Sequence, residues 1–388
     1  MTFRPEVPGL FYFFSEVLMD NEFFMRSALE LAKNGMGFVS PNPMVGAVIV
    51  RDGSVIGQGW HKRCGDLHAE RNAFADCDSR GIDCSGADMY VTLEPCCHHG
   101  KQPPCTDAVI AHGIRRVFIG SADPNPLVAG KGVKILREHG IEVVENVLRD
   151  ECDALNEIFL HYITSKRPFV TMKYAMTADG KIACFNGESK WITGEEARLN
   201  VQHERLRHTA IMTGIGTVLA DDPLLTCRLE NGRDPVRIIC DTRLRIPMSS
   251  NIVKTAGDVR TVIVCCAPDA DKKAALEAAG CEVLEVPELN GHTDLNALMG
   301  ILGEEMHIDS ILLEGGAQLN WSALSQGIVN KVHTYVAPKI FGGADAPSPV
   351  AGCGVSSPAD AFMLETQNVS RFGNDLLIES KVKKCSQV

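Results

Sequence analysis

The chain has 388 residues, enough for two or three domains of ordinary size. With 45% hydrophobic and 22% charged residues it has the mix of a soluble protein with real cores, which excludes a disordered or collagen-like chain. The net charge is −11 and neither half is basic, so the composition argues against nucleic acid as a partner and points to small molecules.

Leu10, Phe11, Tyr12, Phe13 and Phe14 form an apolar patch between Glu6 and Glu16, too short for a signal-peptide core and without a small-residue cleavage site. Residues 1–19 are read as an extension before the first domain, and Met19 or Met25 could be the natural start. No run of about eighteen apolar residues occurs, so no membrane span is expected. Fifteen cysteines without a secretory signal indicate a reducing compartment, the cytoplasm. Cys240, Cys265, Cys266 and Cys281 sit in or beside apolar runs and read as small buried hydrophobes.

The spacing of Phe24, Ala28, Leu31 and Ala32 predicts a helix over 21–34, stopped by Gly35. Asp52-Gly53 between 44–50 and 54–57 is a hairpin signal. Helices follow over 68–77, 105–112, 131–139 and 149–163, with strands over 89–93, 117–120 and 141–144. A mixed sheet with helices on both faces is therefore expected over 20–165. The polar stretch ending at Pro168 marks a boundary, and 168–388 reads as a second α/β domain. Its strands are expected over 169–174, 236–240, 261–265, 310–314 and 332–336, and its helices over 195–206, 269–279 and 295–306.

His68-Ala69-Glu70 is followed by Pro95-Cys96-Cys97-His98-His99-Gly100-Lys101-Gln102-Pro103-Pro104-Cys105. His68, Cys96 and Cys105 supply three zinc ligands and leave the fourth tetrahedral position to water, which zinc activates toward hydroxide. Glu70, two residues past the ligand histidine, is placed to move a proton from that water to a departing amine. A closed structural zinc knot would need a fourth ligand, which Cys97, His98 or His99 could supply. The pairing of His-x-Glu with a later Pro-Cys favours the open, deaminating site.

On these residues 20–165 resemble the cytidine-deaminase-like zinc deaminases. The long gap between Cys96 and Cys105, with Pro41-Asn42-Pro43-Met44-Val45-Gly46 upstream, resembles the deaminase half of the bifunctional riboflavin-biosynthesis deaminase–reductases. The resemblance implies 2,5-diamino-6-ribosylamino-4(3H)-pyrimidinone 5′-phosphate as substrate. It would be held by Asn42 at the pyrimidine edge, His61 and Lys101 at the phosphate, and Asp123 and Asn125 at ribose or base.

No G-x-G-x-x-G fingerprint occurs after 168, so a Rossmann domain is not expected. Instead Leu312-Leu313-Glu314-Gly315-Gly316-Ala317 runs a strand into glycines and a helix start, where backbone amides can meet phosphate. With Tyr174 to Ala183, Glu188 to Thr193 and Gly214 to Pro223, this half resembles the reductase half of the same family, with a dihydrofolate-reductase-like α/β fold. The resemblance implies that Met176, Trp191, Thr217, Asp221, Thr242, Gly316, Ala317, Gln318, Leu319, Asn320, Trp321 and Ser322 line an NADPH site. It also implies that Ser189, Arg205, Leu225, Arg228 and Glu314 hold substrate, the two arginines suiting a ribose phosphate. Lys173 and Glu314 are candidates for handling the proton in the reduction, and Thr242 with Arg243 for preferring NADPH over NADH. A homo-oligomer is the expected assembly.

Overall fold

Asp52 (φ 48°) and Gly53 (φ 71°) both adopt left-handed backbone, the geometry of a tight turn whose twist matches the strands it joins. In the computed structural model, which describes residues 9–100, 102–125 and 128–383, they connect β1 (Gly46–Arg51) to β2 (Ser54–Trp60) in antiparallel register. The chain divides into two units, Met1–Ser165 and Lys166–Val388.

In the first unit α1 (Gly9–Lys33) precedes the hairpin. After it come α2 (Ala69–Ser79), β3 (Asp88–Leu93), α3 (Cys105–Ala111), β4 (Arg116–Ser121), α4 (Lys131–Glu138), β5 (Glu142–Val144), α5 (Arg149–Leu155) and α6 (Glu157–Ser165). The sheet order is β2-β1-β3-β4-β5, antiparallel at the hairpin side and parallel from β3 to β5. Alternation along the strands sends Ala47, Ile49, Met89 and Val117 to the face covered by α2, α3, α4 and α6. Val48, Val50, Tyr90 and Phe118 go to the face covered by α1 and α5.

Two departures from the sequence reading occur here. The first helix begins upstream at Gly9, so that 9–19, expected as an extension, are helical; 1–8 lie outside the described residues. The single helix expected over 149–163 is broken at Asn156. The Asn156 amide bonds both main-chain groups of Met44, accepting from its N–H at 2.9 Å and donating to its carbonyl at 2.9 Å. A buried polar side chain takes partners where it finds them, and here they lie beside Asn42 and Pro43.

The second unit opens with β6 (Phe169–Thr177), α7 (Glu195–Arg207), β7 (Ala210–Gly214), α8 (Ile215–Asp221), β8 (Val236–Cys240), α9 (Asn251–Lys254), β9 (Thr261–Cys265) and α10 (Ala270–Ala278). It continues with β10 (Glu282–Glu285), the short hairpin β11 (Glu288–Leu289) and β12 (His292–Thr293), α11 (Leu295–Gly300), β13 (Ser310–Leu313), α12 (Ala317–Ser325), β14 (Lys331–Ala337), β15 (Leu364–Phe372) and β16 (Asp375–Val382). The helix expected over 295–306 widens into a π-helical turn at Ile301–Glu305. The main sheet runs β10-β9-β8-β7-β13-β6-β14-β16-β15, parallel except where β16 pairs with β14 and β15. Its central strands are buried on both faces, which is why β9 and β13 read as unbroken apolar runs. Cys240, Cys265 and Cys281 are buried and Cys266 is half-buried. No described helix is long and apolar enough to cross a membrane.

Replacing Asn156 by Ala strands the Met44 N–H and carbonyl, at about 1–3 kcal/mol for each buried group left unpaired. The expected outcome is a lower thermal midpoint for Asn156→Ala and faster amide exchange at Met44.

Candidate active sites

The first site is built where two helices begin. His68 is the residue before α2, in extended conformation, and Cys105 is the first residue of α3. His68 Nδ1 lies 3.5 Å from Cys96 Sγ and 3.4 Å from Cys105 Sγ, and the three donor atoms lie within 4.8 Å of one another. Cys97 is not part of this cluster. The Cys105 N–H donates to Cys96 Sγ at 3.4 Å. Hydrogen bonding from Cys105 draws the Cys96 thiol down to about 4, while the Cys105 thiol, bonded to Cys96 and buried, is pushed up. One imidazole and two thiols so arranged could hold a metal ion, and they are the donor types that zinc takes.

Glu70, in the first turn of α2, is 3% exposed. Burial raises its carboxyl above the ordinary range, and the neighbouring Cys96 adds to this. Beside it Arg71 donates to the carbonyls of Pro103 (3.2 Å) and Pro104 (2.8 Å), tying α2 to the turn that delivers Cys105. Glu94, also buried, accepts from the N–H groups of Gly130 (3.0 Å) and Val133 (3.3 Å) and so caps α4. Sequence reasoning singled out neither Arg71 nor Glu94, since each acts through main-chain groups distant in sequence.

His61 was expected at a phosphate; the structure buries it to 2% exposure and engages both ring nitrogens. Nδ1 lies 3.1 Å from the Leu67 carbonyl, which can only accept, so Nδ1 carries the proton. Burial lowers the ring's pKa, so the ring is neutral and Nε2 accepts from Asn42 Nδ2 at 3.2 Å. The Asn42 amide is thereby turned so that its oxygen is left for a ligand N–H. Asp123 is buried, its carboxyl raised to about 6 by loss of water, and it accepts the N–H of Asn125 at 2.8 Å. Lys101 lies outside the described residues.

The second site is a cleft of about 550 Å³ at the C-terminal ends of the parallel strands, the crevice where α/β sheets bind ligands. Of the expected cofactor residues, Thr217, Asp221, Thr242, Gly316, Ala317, Gln318, Leu319 and Ser322 line it, as does the expected substrate residue Ser189. Asn320 and Trp321 spend their side chains elsewhere: Asn320 is 1% exposed and donates to the Pro349 carbonyl, and Trp321 packs edge-on against Phe362. Neither Met176 nor Trp191 lines the cleft; Met176 pairs in register with Val336, and the Trp191 ring lies under Arg198 at 4.6 Å. Leu225 is buried in a left-handed turn (φ 54°), and the Arg228 N–H donates to Gln202 Oε1.

Just past β13, Glu314 is gripped by Arg205 through two bonds, Nε to Oε1 at 2.7 Å and Nη2 to Oε2 at 3.1 Å, with Lys173 Nζ at 3.6 Å from Oε2. Arg205 also donates to the Thr226 carbonyl at 2.9 Å, so only its remaining N–H groups could reach a phosphate. Burial opposes the ionised carboxylate, but the Arg205 and Lys173 charges outweigh it and hold Glu314 at about 2. A carboxylate so held is ionised near neutrality.

A zinc-deaminase site on a five-stranded sheet and a nucleotide cleft on a parallel sheet define a two-function enzyme. The comparisons agree. Residues 18–121 match the cytidine and deoxycytidylate deaminase zinc-binding region, and 168–378 match the RibD C-terminal domain. The chain is 53% identical over 356 residues to riboflavin biosynthesis protein RibD of Actinobacillus pleuropneumoniae, covering 92% of this chain and 94% of that one. It is 38% identical to RibD of Escherichia coli, over 93% and 99% of the two chains. A Thermotoga maritima crystal structure, described as a diaminohydroxyphosphoribosylaminopyrimidine deaminase/5-amino-6-(5-phosphoribosylamino)uracil reductase, superposes with a TM-score of 0.83 at 39% identity, over 95% of this chain and all of that one. Acinetobacter baumannii RibD gives 0.82 at 34% identity, with the same coverage. The chain belongs to the RibD family. It is a bifunctional deaminase–reductase of riboflavin biosynthesis, with a zinc-binding deaminase region and a reductase domain that takes a nicotinamide cofactor.

Two measurements check the geometry. Arg71→Ala should weaken zinc binding about 10–100-fold in a competition titration, because an outer residue that orients a ligand is removed. Glu314 has a depressed pKa in the folded state, so the stability it contributes is present above its ordinary value of 4.5 and is lost as pH falls toward 2. Thermal midpoints recorded through that window should fall more steeply for the wild type than for Glu314→Gln.

Proposed function

We propose that residues 20–165 remove the ring 2-amino group of 2,5-diamino-6-ribosylamino-4(3H)-pyrimidinone 5′-phosphate. Residues 168–388 then reduce the ribosyl group of 5-amino-6-(5-phosphoribosylamino)uracil to ribityl with NADPH. The observation that carries the reading is the three-donor cluster of His68, Cys96 and Cys105 with buried Glu70 on the same helix start.

In this reading His68, Cys96 and Cys105 hold zinc, which when bound supplies a water acidic enough to attack near neutral pH. Glu70 takes a proton from the attacking water and delivers it to the leaving nitrogen; oxygen replaces nitrogen at the ring carbon and ammonia departs. Asn42, its amide set by His61, accepts from the pyrimidine edge, and Asp123 and Asn125 hold ribose or base. Lys101 meets the phosphate.

In the reductase, NADPH supplies the hydride that reaches C1′. The C1′–O4′ bond breaks and O4′ takes a proton, assigned to Lys173 because its neighbour Glu314 is kept ionised. Thr217, Asp221, Thr242 and the start of α12 hold the cofactor, whereas Met176 and Trp191, expected beside it, lie outside the cleft. Ser189, Leu225 and Arg228 hold substrate, with Arg205 acting mainly through Glu314. We assign the protein to the cytoplasm as a homo-oligomer acting on small pyrimidine ribose phosphates, with neither nucleic acid nor membrane as a partner.

Metal analysis should give one zinc per chain, lost in Cys96→Ser and Cys105→Ser and kept in Cys97→Ser; equal loss in Cys97→Ser would refute the ligand set. Glu70→Gln should lower ammonia release by about 10²–10⁴-fold while NADPH oxidation with pre-deaminated substrate continues. Arg205→Ala should do the reverse. A folded, zinc-replete Glu70→Gln protein that fails equally in both assays would show that the two sites are coupled.

A further inference from the structure

We infer that Glu94 is a positioning residue for the metal ligand Cys96, and that it works together with a close backbone contact at Gly132; the inference rests on the ligand set proposed above. Cys96 lies three residues past the end of β3, in a stretch with no regular structure of its own to fix it. Its neighbours hold it from two sides. On one side stand the first residues of α3, where the Cys105 N–H donates to Cys96 Sγ at 3.4 Å and the Thr106 N–H donates to the Cys96 carbonyl at 3.2 Å. On the other side the hold passes through Glu94. Its N–H donates to the Ser121 carbonyl at the end of β4 at 2.9 Å, and its carboxylate accepts the N–H groups of Gly130 at 3.0 Å and Val133 at 3.3 Å.

α4 has no cap of its own. Gly130, the residue before it, takes left-handed backbone (φ 74°) and has no side chain to offer. The first N–H groups of a helix lack partners within it, so a carboxylate from another element takes that place, with the helix dipole in its favour. Gly130 binds Oε2 and Val133 binds Oε1, so both oxygens are engaged and the plane of the carboxylate is set. Gly132 then sits against the next residue of the segment. A Cβ there would lie 2.3 Å from the Pro95 carbonyl oxygen and 3.2 Å from Glu94 Oε1. Gly132 is not among the residues with left-handed backbone, so it is the closeness of Pro95, and not an unusual conformation, that demands glycine. Glu94 and Pro95 are both buried. With those two residues held on α4, and the carbonyl and sulfur of Cys96 held on α3, the thiol is kept 3.5 Å from His68 Nδ1. A ligand oriented before the ion arrives gives up little freedom on binding, so the residues that orient it act on metal affinity.

The test is zinc affinity of the full-length protein, measured by competition with a chromophoric chelator, with the absorption spectrum of the cobalt(II)-substituted protein as the report on thiolate geometry. Glu94→Gln keeps the size of the side chain but turns an NH2 group toward one of the two N–H donors. It should weaken zinc by about 10–100-fold and shift the thiolate-to-cobalt absorption. Gly132→Ala leaves Glu94 in place and drives a methyl group into the Pro95 carbonyl; it should change both readouts in the same way. Glu94→Asp keeps the charge and falls one methylene short of α4, so it should lie between Glu94→Gln and the wild type. Lys134→Gly is the control. It loosens α4 at an exposed position and should lower the thermal midpoint while leaving zinc affinity and the cobalt spectrum unchanged. If Glu94→Gln and Gly132→Ala lower the thermal midpoint alone, or if Lys134→Gly weakens zinc as much as they do, Glu94 only caps a helix, and the inference falls while the ligand set stands. A wild type whose cobalt form shows no thiolate absorption removes both.

Discussion

Glu70, Glu94, Glu314 and Asp241 are carboxylates with almost no water around them, and the protein is organised by what it must supply in place of water. An isolated buried charge costs several kcal/mol, so Glu94, Glu314 and one oxygen of Asp241 are met by donors at fixed positions, while burial shifts Glu70 toward its protonated form. Glu94 takes two N–H groups at the start of α4. Glu314 takes the two-pronged grip of Arg205 and the nearby Lys173. Each answer ties a strand end to a helix or loop far away in sequence, and those ties give the sites their shape.

The two thiols of the metal cluster follow the same logic with a different answer. Cys96 and Cys105 cannot both be charged so close together without a cation; hydrogen bonding favours the anion at Cys96 and leaves the proton on Cys105. A divalent ion resolves that conflict, since thiolates are its ligands and the released proton goes to water. The rigid part is the frame that holds the donors: two helix starts, with Arg71 pinning the Pro103 and Pro104 carbonyls between them. Arg237 plays a comparable part in the reductase, where it is fully buried and bonds the carbonyls of Leu224, Ile252, Thr255 and Val259. It fixes the turn that carries Leu225 and the loop after α9.

Legibility in the sequence differed between the two sites. His68, Cys96 and Cys105, whose donor atoms the fold brings together, stand out in the sequence because zinc chemistry demands few residue types at constrained spacing. The cofactor cleft was half legible. The run from Gly316 to Ser322 was assigned as one stretch, but a helix turns successive side chains through its circumference, so Gln318 and Leu319 line the cleft while Asn320 and Trp321 turn to Pro349 and Phe362. The two-residue strands β11 and β12, which bring His292 to the cleft, carry too little pattern to be seen.

What the sequence by itself determined was periodicity and local chemistry: the Asp52-Gly53 turn, the apolar strands over 236–240 and 261–265, the division near Pro168, and the metal motif. These depend on neighbours within a few residues, so one sequence displays them. Tertiary structure decided the partners of the polar side chains. His61 serves Asn42, Arg205 serves Glu314, and Asn156 interrupts a helix to hold Met44, because a polar group taken out of water bonds whichever complement the fold brings within about 3 Å. Which complement that is depends on the packing of segments that are remote in sequence, and no local pattern records it.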